Sequence, residues 1–450
     1  MHRSSRRAWP GLLLAFALVA GGCEERTNDA LVIHAQPYIE PVYERIVADY
    51  GGAHPEISVR FEAGSREEQQ LVQQLLRSSL IGAPLPDVVM VSGNFVRLLA
   101  ERGLAVRLDE FIAGHPQWRK SVAAAVIDAG RSGAPTHDRS AGGQSTDGQS
   151  TYGQSIYGQS IYGLGFGFSV PVVLFNRELV RRAGMDPEHL PQDWPGILQL
   201  ARRIDNPAEG IVGGLLEYDG GGAFSFLALL ESHGGALLTT DERAVAVDTA
   251  VGLQALQVVR GFGLAGQARA DMSRDQARQA FGAGSVGVFV TMSSMLPRLT
   301  QAAGEYFGIG MVAFPLEPNG RLPAAGPVAV MLTRDPDRQR RVFELMAFLT
   351  SPEAQTVLVA ASGYVPANSL AIAESPALRE LLAARSFSTI VIGQLAAASR
   401  WYAPPGPNAI RMADRITTRM QQVVTLEQEP SAALRQLTEE IQPLLPEPAT

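Results

Sequence analysis

Three residue patterns in this sequence could support chemistry, and each lacks the surroundings that the chemistry requires. Gly261-Phe-Gly-Leu-Ala-Gly266 has the GxGxxG spacing that binds a dinucleotide pyrophosphate, but that motif must follow a strand, and Leu253 to Arg260 have helical spacing. The serines of a GQS repeat never fall in a GxSxG nucleophile elbow. The seven histidines are scattered without an HExxH pattern, so no zinc site or hydrolase base is predicted. We therefore expect a binding protein that is not an enzyme and has no cofactor.

Cys23 is the only cysteine of the 450 residues, and it follows the parts of an export signal. A positively charged start leads into the apolar run Leu12–Val19, which is shorter than the roughly 20 residues that cross a membrane. A cysteine directly after small residues is typical of a bacterial lipoprotein signal, which is cleaved before the lipid-bearing cysteine. We predict a signal peptide at 1–22, lipidation at Cys23, a tether at 23–30, and a periplasmic or cell-surface location. An ordinary signal peptide with an incidental cysteine is the alternative, because Ala20 stands where that signal usually has leucine.

The composition excludes some classes of partner and sets the size of the folded protein. The formal net charge is -7, and removal of the arginine-containing signal makes the mature chain more acidic. An acidic chain argues against a nucleic-acid partner, which requires a basic face. Hydrophobic residues make up 46% and charged residues 18%, as in a globular protein with a sizeable core. A mature chain of about 420 residues exceeds the size at which one core stops growing, so two domains are expected.

Strand-like and helix-like segments alternate along the chain. Ile57–Phe61 alternates like a strand, and Pro86–Val91 is a compact apolar run that suits a buried parallel strand. Asp193 is a helix N-cap, and the residues after it place apolar side chains at helical spacing up to Ile204. This alternation predicts an α/β fold with mainly parallel sheets flanked by helices. Residues 143–162 are a tandem five-residue GQS repeat, which we interpret as an insertion in a surface loop.

Several segments resemble a known family in the same order along the chain. Tyr162–Asn176 resembles the crossover of the extracellular solute-binding proteins of bacterial ABC importers, usually written YGLP followed by a strand and YN. Phe281–Val290 resembles a later strand of that family, Ser351–Gln355 its late helix, and Ser362–Ala367 its GYVP turn. The similarity extends over essentially the whole mature chain.

The resemblance implies a two-lobed type II periplasmic-binding fold in which each lobe is discontinuous in sequence. The N-terminal lobe would comprise 31–165 and 328–380, with the repeat as an insertion, and the C-terminal lobe 166–327 and 381–446. Hinge crossings are expected near Gly163–Phe168 and Gly326–Met331, and a third between Ala371 and Ile392. Ligand would lie between the lobes, which close on binding.

Within the family the sequence is most similar to the branch that binds glycerol 3-phosphate and sugars. The resemblance implies polar ligand contacts at a set of residues, and Arg411 would pair with a phosphate; these are Ser169, Ser293, Ser294, Gly326, Tyr364 and Arg411. Trp401, in a loop rich in proline and glycine, would stack on a sugar ring. That branch has a tyrosine where this chain has Ser65-Arg66 and a glutamate where it has Ser92-Gly93, so a different ligand is open.

These expectations together predict a lipid-anchored, monomeric receptor of an ABC importer. It would capture a sugar, polyol or glycerol-phosphate-like solute and deliver it to the membrane permease subunits without any bond chemistry. Two alternatives are open from the sequence. One is a sensor lipoprotein that feeds a receptor instead of a permease, and the other is a cell-envelope enzyme that hydrolyses glycans.

Overall fold

The computed structural model describes residues 29–36, 40–65, 67–132, 160–385 and 387–447. The predicted signal peptide, Cys23 and nearly all of the predicted tether lie outside the described residues, as does the repeat except for its last three residues. Within the described ranges, every helix is too short or too polar to cross a bilayer.

The strands are short and are numbered here in chain order. They are β1 (Leu31–Ala35), β2 (Val59–Ala63), β3 (Val88–Ser92), β4 (Arg131–Ser132), β5 (Ser160–Ile161), β6 (Leu164–Gly165), β7 (Gly167–Phe168), β8 (Pro171–Asn176), β9 (Val212–Leu216), β10 (Val286–Met292), β11 (Ile309–Ala313), β12 (Leu322–Ala324), β13 (Pro327–Met331), β14 (Val365–Pro366) and β15 (Ala398–Arg400).

The α-helices connect and cover these strands. They are α1 (Glu40–Ala53), α2 (Glu68–Leu80), α3 (Gly93–Glu101), α4 (Asp109–Gly114), α5 (Pro116–Ser121), α6 (Ala124–Asp128), α7 (Arg177–Arg182), α8 (Trp194–Ile204), α9 (Phe224–Ser232), α10 (Ala250–Leu264), α11 (Arg274–Gly282), α12 (Leu296–Ala303), α13 (Pro336–Phe348), α14 (Pro352–Ala361), α15 (Ser369–Glu374), α16 (Pro376–Ala383), α17 (Ser388–Gln394), α18 (Ala409–Val424) and α19 (Pro430–Ile441).

Two larger sheets organise the molecule into two lobes. The sheet of the N-terminal lobe has the strand order β2-β1-β3-β13-β6, and the sheet of the C-terminal lobe has the order β11-β8-β10-β9. The predicted strand at Pro86–Val91 and the strand expected within Phe281–Val290 are confirmed as β3 and β10, which lie inside these sheets and are buried almost throughout. Apolar runs form these strands because helices cover the sheet on either face.

The strand directions differ from the expectation of mainly parallel sheets. In the N-terminal lobe β1 is parallel to β2 and β3, but β13 is antiparallel to β3 and β6. In the C-terminal lobe only β9 and β10 are parallel, whereas β8 is antiparallel to β10 and β11. The physical reason lies in the connections. A strand that follows a crossing from the other lobe starts at the end of the sheet that faces that lobe. A strand that follows a covering helix starts at the opposite end of the sheet, so the two strands are antiparallel.

The chain passes between the two sheets at three places. The run β6, β7, β8 leads from the first sheet to the second, and β12 and β13 lead back. The third passage follows α16 and continues through α17 to β15, which pairs in parallel with β12. The side chain of Gln394 at the end of α17 accepts a hydrogen bond from the backbone N–H of Phe314 at 2.8 Å and joins this passage to the second lobe.

Helix caps and apolar faces form where the sequence places them. The Asp193 carboxylate accepts a hydrogen bond from the Gly196 N–H at 2.8 Å and starts α8, whose apolar face from Ile197 to Ile204 is buried. Trp194 at the start of this helix is 6% exposed and meets Phe314 edge to face at 5.0 Å, so it packs in the core of the C-terminal lobe. The helical context expected around the GxGxxG pattern is also confirmed, since Gly263 lies inside α10.

Candidate functional site

A cavity of about 630 Å³ lies between the two lobes. Ser92 at the carboxyl end of β3 and the first turn of α2 line it from the N-terminal lobe. Residues at the carboxyl ends of β9 and β10 and the first turns of α11 and α12 line it from the C-terminal lobe. In open α/β sheets, ligands bind outside the carboxyl ends of the strands, so the topology marks this cavity as the candidate site.

The structure brings most of the predicted site residues to this cavity. Those that line it are Ser169, Ser294, Gly326, Tyr364 and Trp401. Ser293 lies directly behind the lining, and Arg411 lies on another surface.

The three serines form a hydrogen-bonded junction between the first lobe crossing and the end of β10. The Ser169 and Ser293 hydroxyl oxygens are 3.1 Å apart, and Ser169 Oγ accepts a hydrogen bond from the Ser294 N–H at 2.9 Å. Ser293 Oγ accepts another from the Val170 N–H at 3.2 Å. Ser169 and Ser293 are 1% and 2% exposed, so their hydroxyl groups first serve to hold the crossing segment to β10.

Gly326 is required by a close approach of two crossing segments. A Cβ atom at this position would lie 1.8 Å from the carbonyl oxygen of Gly167. The neighbouring residues Ser169 and Ala325 exchange two backbone hydrogen bonds of 2.7 and 2.9 Å. The glycine therefore allows the outgoing and returning segments to pack side by side at the base of the cavity.

Two aromatic residues contribute apolar surface to the cavity. Tyr364 is half-buried and follows Gly363, where a Cβ atom would lie 2.5 Å from the Ser294 carbonyl oxygen. Trp401 is 6% exposed and meets Phe224 edge to face at 4.8 Å. The Trp401 Nε1–H has no hydrogen-bond partner among the described residues. An indole group held in this way can offer both a ring face and an N–H donor to a bound molecule.

Arg411 is not brought to the cavity lining. It lies in the first turn of α18, is exposed, and donates a hydrogen bond to the Asn408 side chain at 3.3 Å. The buried face of α18 is formed by Met412, Ile416 and Met420, and this spacing turns position 411 outwards. The structure therefore does not place the predicted phosphate partner beside the other site residues.

Charged residues that the sequence did not single out also line the cavity. Glu68, in the first turn of α2, accepts hydrogen bonds from the N–H and the hydroxyl group of Ser92, the latter at 2.8 Å. Burial raises the pKa of the Glu68 carboxyl from its ordinary value to about 7, although both Ser92 hydrogen bonds and the charge of Arg274 oppose this rise. The sequence could have indicated this residue, because Glu68 starts the helix that directly follows β2 and such a helix start lies at the edge of the sheet.

A second carboxylate of the cavity is held by an arginine. Glu217 is 7% exposed and forms a bidentate ion pair with Arg278, with Nε–Oε1 and Nη2–Oε2 distances of 2.7 and 3.0 Å. Burial raises the pKa of Glu217, and the charge of Arg278 opposes that rise. Glu217 follows β9 and Arg278 lies on α11, so only the folded chain brings the two together.

The donor set of the cavity favours noncovalent recognition. Among the described residues, no group of three or more histidine, cysteine, aspartate or glutamate side chains is arranged to hold a metal ion. The lining instead combines hydroxyl groups, aromatic surface and paired charges. Such a combination of groups suits the binding of a small polar molecule.

The family model of bacterial extracellular solute-binding proteins matches residues 45–380 of the chain. Two curated relatives, both named sn-glycerol-3-phosphate-binding periplasmic protein, are 22% identical. The one from Agrobacterium fabrum matches over 218 residues, 47% of this chain and 49% of the relative, and the one from Escherichia coli over 217 residues, 45% and 48%. The chain thus matches these curated relatives over about half of their length.

Solved structures of similar fold cover almost the whole chain. A Thermotoga lettingae solute-binding protein bound with α-D-tagatose has a TM-score of 0.73 and 18% identity, covering 93% of this chain and 100% of its own. A Mycobacterium tuberculosis protein in complex with glycerophosphocholine has a TM-score of 0.75 and 15% identity, covering 92% and 98%. These likenesses confirm the predicted two-lobed type II fold.

Proposed function

Because the chain belongs to the bacterial extracellular solute-binding proteins, we propose that it captures a small polar solute between its two lobes. The observation that carries the proposal is the cavity of about 630 Å³ at the carboxyl ends of the strands, lined from both lobes. A solute that contacts both lobes favours their closed arrangement, and closure produces a shape that a partner can recognise. The protein then performs no bond chemistry.

The proposed solute is a sugar, a polyol or a glycerol-phosphate-like compound. Support comes from the names of the curated relatives, which bind sn-glycerol 3-phosphate, and from structural neighbours in complex with tagatose, ribitol or glycerophosphocholine. The aromatic groups of Trp401 and Tyr364 suit the C–H faces of such molecules, and the hydroxyl and carboxylate groups suit their hydroxyls.

The proposed contacts follow the geometry of the cavity. Tyr364, Trp401, Ser294 and Gly326 would contact the solute directly, since they line the cavity. Ser169 and Ser293 would act through the junction that they form with each other. Arg411 would contact the solute only if closure of the lobes moved the first turn of α18 towards the cavity.

The lobe boundaries expected from the sequence are part of the same proposal. The N-terminal lobe would comprise 31–165 and 328–380, and the C-terminal lobe 166–327 and 381–446. The strands of the first larger sheet lie in 31–165 and 328–380 except for Pro327 at the start of β13, and those of the second lie in 166–327, which supports the division. The boundaries at 165 and 327 fall at crossing segments, where a hinge would move, and the boundary at 380 falls inside α16, just before the third passage.

The proposed partner is the permease of an ABC importer. A lipid on Cys23, followed by a tether at 23–30, would hold the receptor at the membrane as a monomer, in the periplasm or at the cell surface. Tethering raises the effective concentration of receptor at the permease without any new contact. Replacing Cys23 with serine should release the protein from the membrane fraction, and retention in that fraction would contradict the anchor alone.

A ligand-dependent thermal shift tests the solute-binding proposal. Anything that binds only the native state stabilises it, and a solute at 100 times its Kd contributes about 2.7 kcal/mol. We expect at least one compound of a panel containing ribitol, tagatose, maltose, glycerophosphocholine and sn-glycerol 3-phosphate to raise the Tm by several degrees. If none of them changes the Tm, the proposed solute class is wrong.

A further inference from the structure

Two neighbouring aliphatic side chains project from the end of α2. Leu80 and Ile81 are 83% and 81% exposed, and of the large apolar side chains in the described ranges only that of Tyr306 is exposed more fully. The segment 78–86, Ser-Ser-Leu-Ile-Gly-Ala-Pro-Leu-Pro, contains no charged residue. A single exposed apolar residue is ordinary on a protein surface, but two adjacent ones in an uncharged run indicate a contact surface. We name residues 80–85 the apolar tip.

The backbone of the apolar tip is held by the end of the helix. The N–H groups of Gly82 and Ala83 donate back to carbonyl groups of the last turn, at 3.3 and 2.9 Å, and Gly82 has a φ of 68°. These bonds form the Schellman ending of a helix. Leu80 comes nine positions after the buried Leu71, about 2.5 turns later, so it points away from the lobe. The two aliphatic side chains are therefore exposed by an ordered helix end, which prevents them from folding back onto the core.

The apolar tip lies at the end of the N-terminal lobe that is remote from the cavity. α2 starts beside the cavity, where Glu68 bonds to Ser92 at the carboxyl end of β3, and its 13 residues extend for about 20 Å. The segment after α2 enters β3 at Val88, next to β1. There the Asp87 N–H donates to the Val32 carbonyl at 2.9 Å, and the Asp87 carboxylate accepts from the Val32 N–H at 2.8 Å. The tip therefore lies at the edge of the sheet where the parallel strands β1 and β3 begin, which we name the amino edge.

The chain that follows Cys23 arrives at this same amino edge. The Ala30 carbonyl accepts a hydrogen bond from Arg338 at 2.7 Å, and Asp29 pairs with Arg341 at 2.8 Å, so the start of the lobe is fixed there. Five residues separate Cys23 from Asp29, and a segment of that length spans at most about 20 Å. The apolar tip directly precedes β3 at the same edge. A lipid on Cys23 would therefore hold the amino edge near the bilayer, with the tip within reach of its surface.

Exposed arginines accompany the apolar tip at the amino edge. Arg77 lies in the last turn of α2, Arg102 ends α3, and Arg334 follows β13 and donates to the Leu104 carbonyl at 3.1 Å. Carboxylates of this edge have partners of their own, which are Arg341 for Asp29, Arg338 for Asp87, Arg340 for Asp337 and His54 for Glu56, while Asp335 caps α13. Basic side chains beside an apolar projection suit the surface of a bilayer that contains anionic lipids.

On the basis of the proposed lipid anchor at Cys23, we propose that the apolar tip inserts into the surface of the bilayer that holds the anchor, with Arg77, Arg102 and Arg334 against anionic headgroups. A single acyl chain gives reversible membrane binding, and a second signal makes the binding stable. The tip is that second signal. It orients the N-terminal lobe with its amino edge towards the membrane and leaves the cavity, at the opposite edge of the sheet, open to solutes.

Tryptophan fluorescence on vesicles tests this contact with the chain that begins at Cys23. Because Cys23 is the only cysteine, its thiol can be coupled specifically to a maleimide lipid in vesicles of phosphatidylglycerol and phosphatidylethanolamine. The coupling supplies the tether whether or not the natural chain is acylated. Ile81→Trp places a fluorophore at the tip, and Leu264→Trp places one at a 51% exposed position of the C-terminal lobe as the control. Brominated lipid chains then quench a tryptophan that enters the bilayer.

We expect the fluorescence added by Ile81→Trp to be mostly lost on brominated vesicles and that added by Leu264→Trp to be retained. Leu80→Asn in the Ile81→Trp chain should lower the ratio of inserted to free tip at least about tenfold, because an apolar side chain no longer leaves water on insertion. Equal quenching at the two positions would overturn the proposal. Absence of quenching at position 81 would also overturn it and would leave the tip to a protein partner such as the permease.

Two further measurements separate the tip from the anchor and from solute binding. Leu80→Asn combined with Ile81→Asn should leave the ligand-free Tm and the solute affinity unchanged, because both side chains are exposed and lie outside the cavity lining. A loss of solute affinity in this variant would contradict the separate role of the tip. If mass spectrometry of the natural chain shows no lipid on Cys23, the proposed anchor fails, and quenching on the coupled vesicles still decides whether the tip enters a bilayer.

Discussion

At the residue scale, the cavity depends on side chains that are buried and yet keep hydrogen-bonding capacity. Trp401 packs against Phe224, and its N–H has no hydrogen-bond partner in the part of the chain that the structure describes, whereas the hydroxyl groups of Ser169 and Ser293 bond to each other. The first arrangement leaves a group for the solute and the second fixes the backbone around it. Residues of the same cavity therefore divide into those that contact a ligand and those that position the contacts.

Replacing Trp401 with phenylalanine should weaken solute binding about tenfold, because it removes the indole N–H while a ring remains against Phe224. Calorimetry on the purified variant measures the change. Trp194→Phe is the matched control, since Trp194 is also 6% exposed, its Nε1 has no partner among the residues described, and it does not line the cavity. Equal losses of affinity in both variants would show that the effect is general packing.

A pH-dependent stability should arise from two carboxyl groups whose pKa burial raises to about 7, Glu68 and Glu231. Between the ordinary value of 4.5 and about 7, the native state keeps these protons while the unfolded chain has lost them. The free energy of unfolding should therefore fall as the pH rises through this window, and the loss should be complete above it.

Glu231→Gln should flatten this pH dependence, because the variant has no proton to lose. Ser399 Oγ donates to the Glu231 carboxyl group at 2.6 Å, and the amide oxygen of a glutamine can accept the same hydrogen bond. The charge of Arg321 also lowers the pKa of Glu231, against the effect of burial. Denaturant unfolding at several pH values between 4.5 and 8 measures the slope. An identical slope for the native protein and the variant would contradict the role of Glu231.

At the element scale, the crossing segments determine where the cavity forms. β7 and the return segment at Gly326 touch so closely that a single Cβ atom would overlap a backbone oxygen. The serine junction then ties the same segments to the end of β10. A second close approach places Ser294 next to Tyr364, because the Ser294 carbonyl oxygen lies against Gly363, the residue before Tyr364.

Gly326→Ala should destabilise the protein by about 1–3 kcal/mol, as overpacking of a tight contact does. Gly393→Ala is the control, because Gly393 lies in the helix α17 and a Cβ atom there would meet nothing within 4 Å. Alanine favours a helix over glycine by about 1 kcal/mol, so this variant should be neutral or slightly more stable. Thermal and denaturant unfolding measure both, and a Gly326→Ala variant as stable as the native protein would refute the close contact.

At the scale of the whole molecule, a buried ion pair joins the two lobes. Arg97 on α3 forms a bidentate ion pair with Glu242, at 2.7 and 2.8 Å, and each residue is less than a tenth exposed. The hydroxyl group of Tyr402 donates to Glu242 at 2.9 Å, and the Glu101 carboxylate accepts from both Arg97 and the Gly406 N–H. Charged side chains of the two lobes therefore hold the lobes together in this arrangement.

Arg97→Met should favour separation of the lobes, because Glu242 would stay buried without its partner at a cost of about 3–5 kcal/mol unless water reaches it. The radius of gyration of the ligand-free variant, measured by small-angle X-ray scattering, should exceed that of the native protein. Arg340→Met removes the exposed Arg340–Asp337 pair and serves as the control. An unchanged radius for Arg97→Met would mean that the ion pair does not hold the lobes together.

The sequence by itself determined much of the architecture. The periodic runs predicted strands and helices that the structure contains, such as β3, β10 and α8. A strand or helix that is buried on one or both faces has apolar residues at a regular spacing, and the sequence shows that spacing directly. The order of the family motifs predicted the two-lobed fold and the family, both of which are confirmed. Five of the seven predicted ligand residues line one cavity, since motif residues near the crossings are brought together by the crossings themselves.

Only the tertiary structure decided the strand directions and the chemistry of the cavity. The antiparallel entry of β13 depends on which lobe the preceding strand occupies, and local periodicity does not record that. Arg411 turns away from the cavity because of the rotation of α18, whereas Glu68 and Glu217 meet their partners 24 and 61 positions away. Hydrogen bonds and ion pairs of this kind join residues that are far apart in the sequence, so they exist only once the lobe that contains both partners has folded.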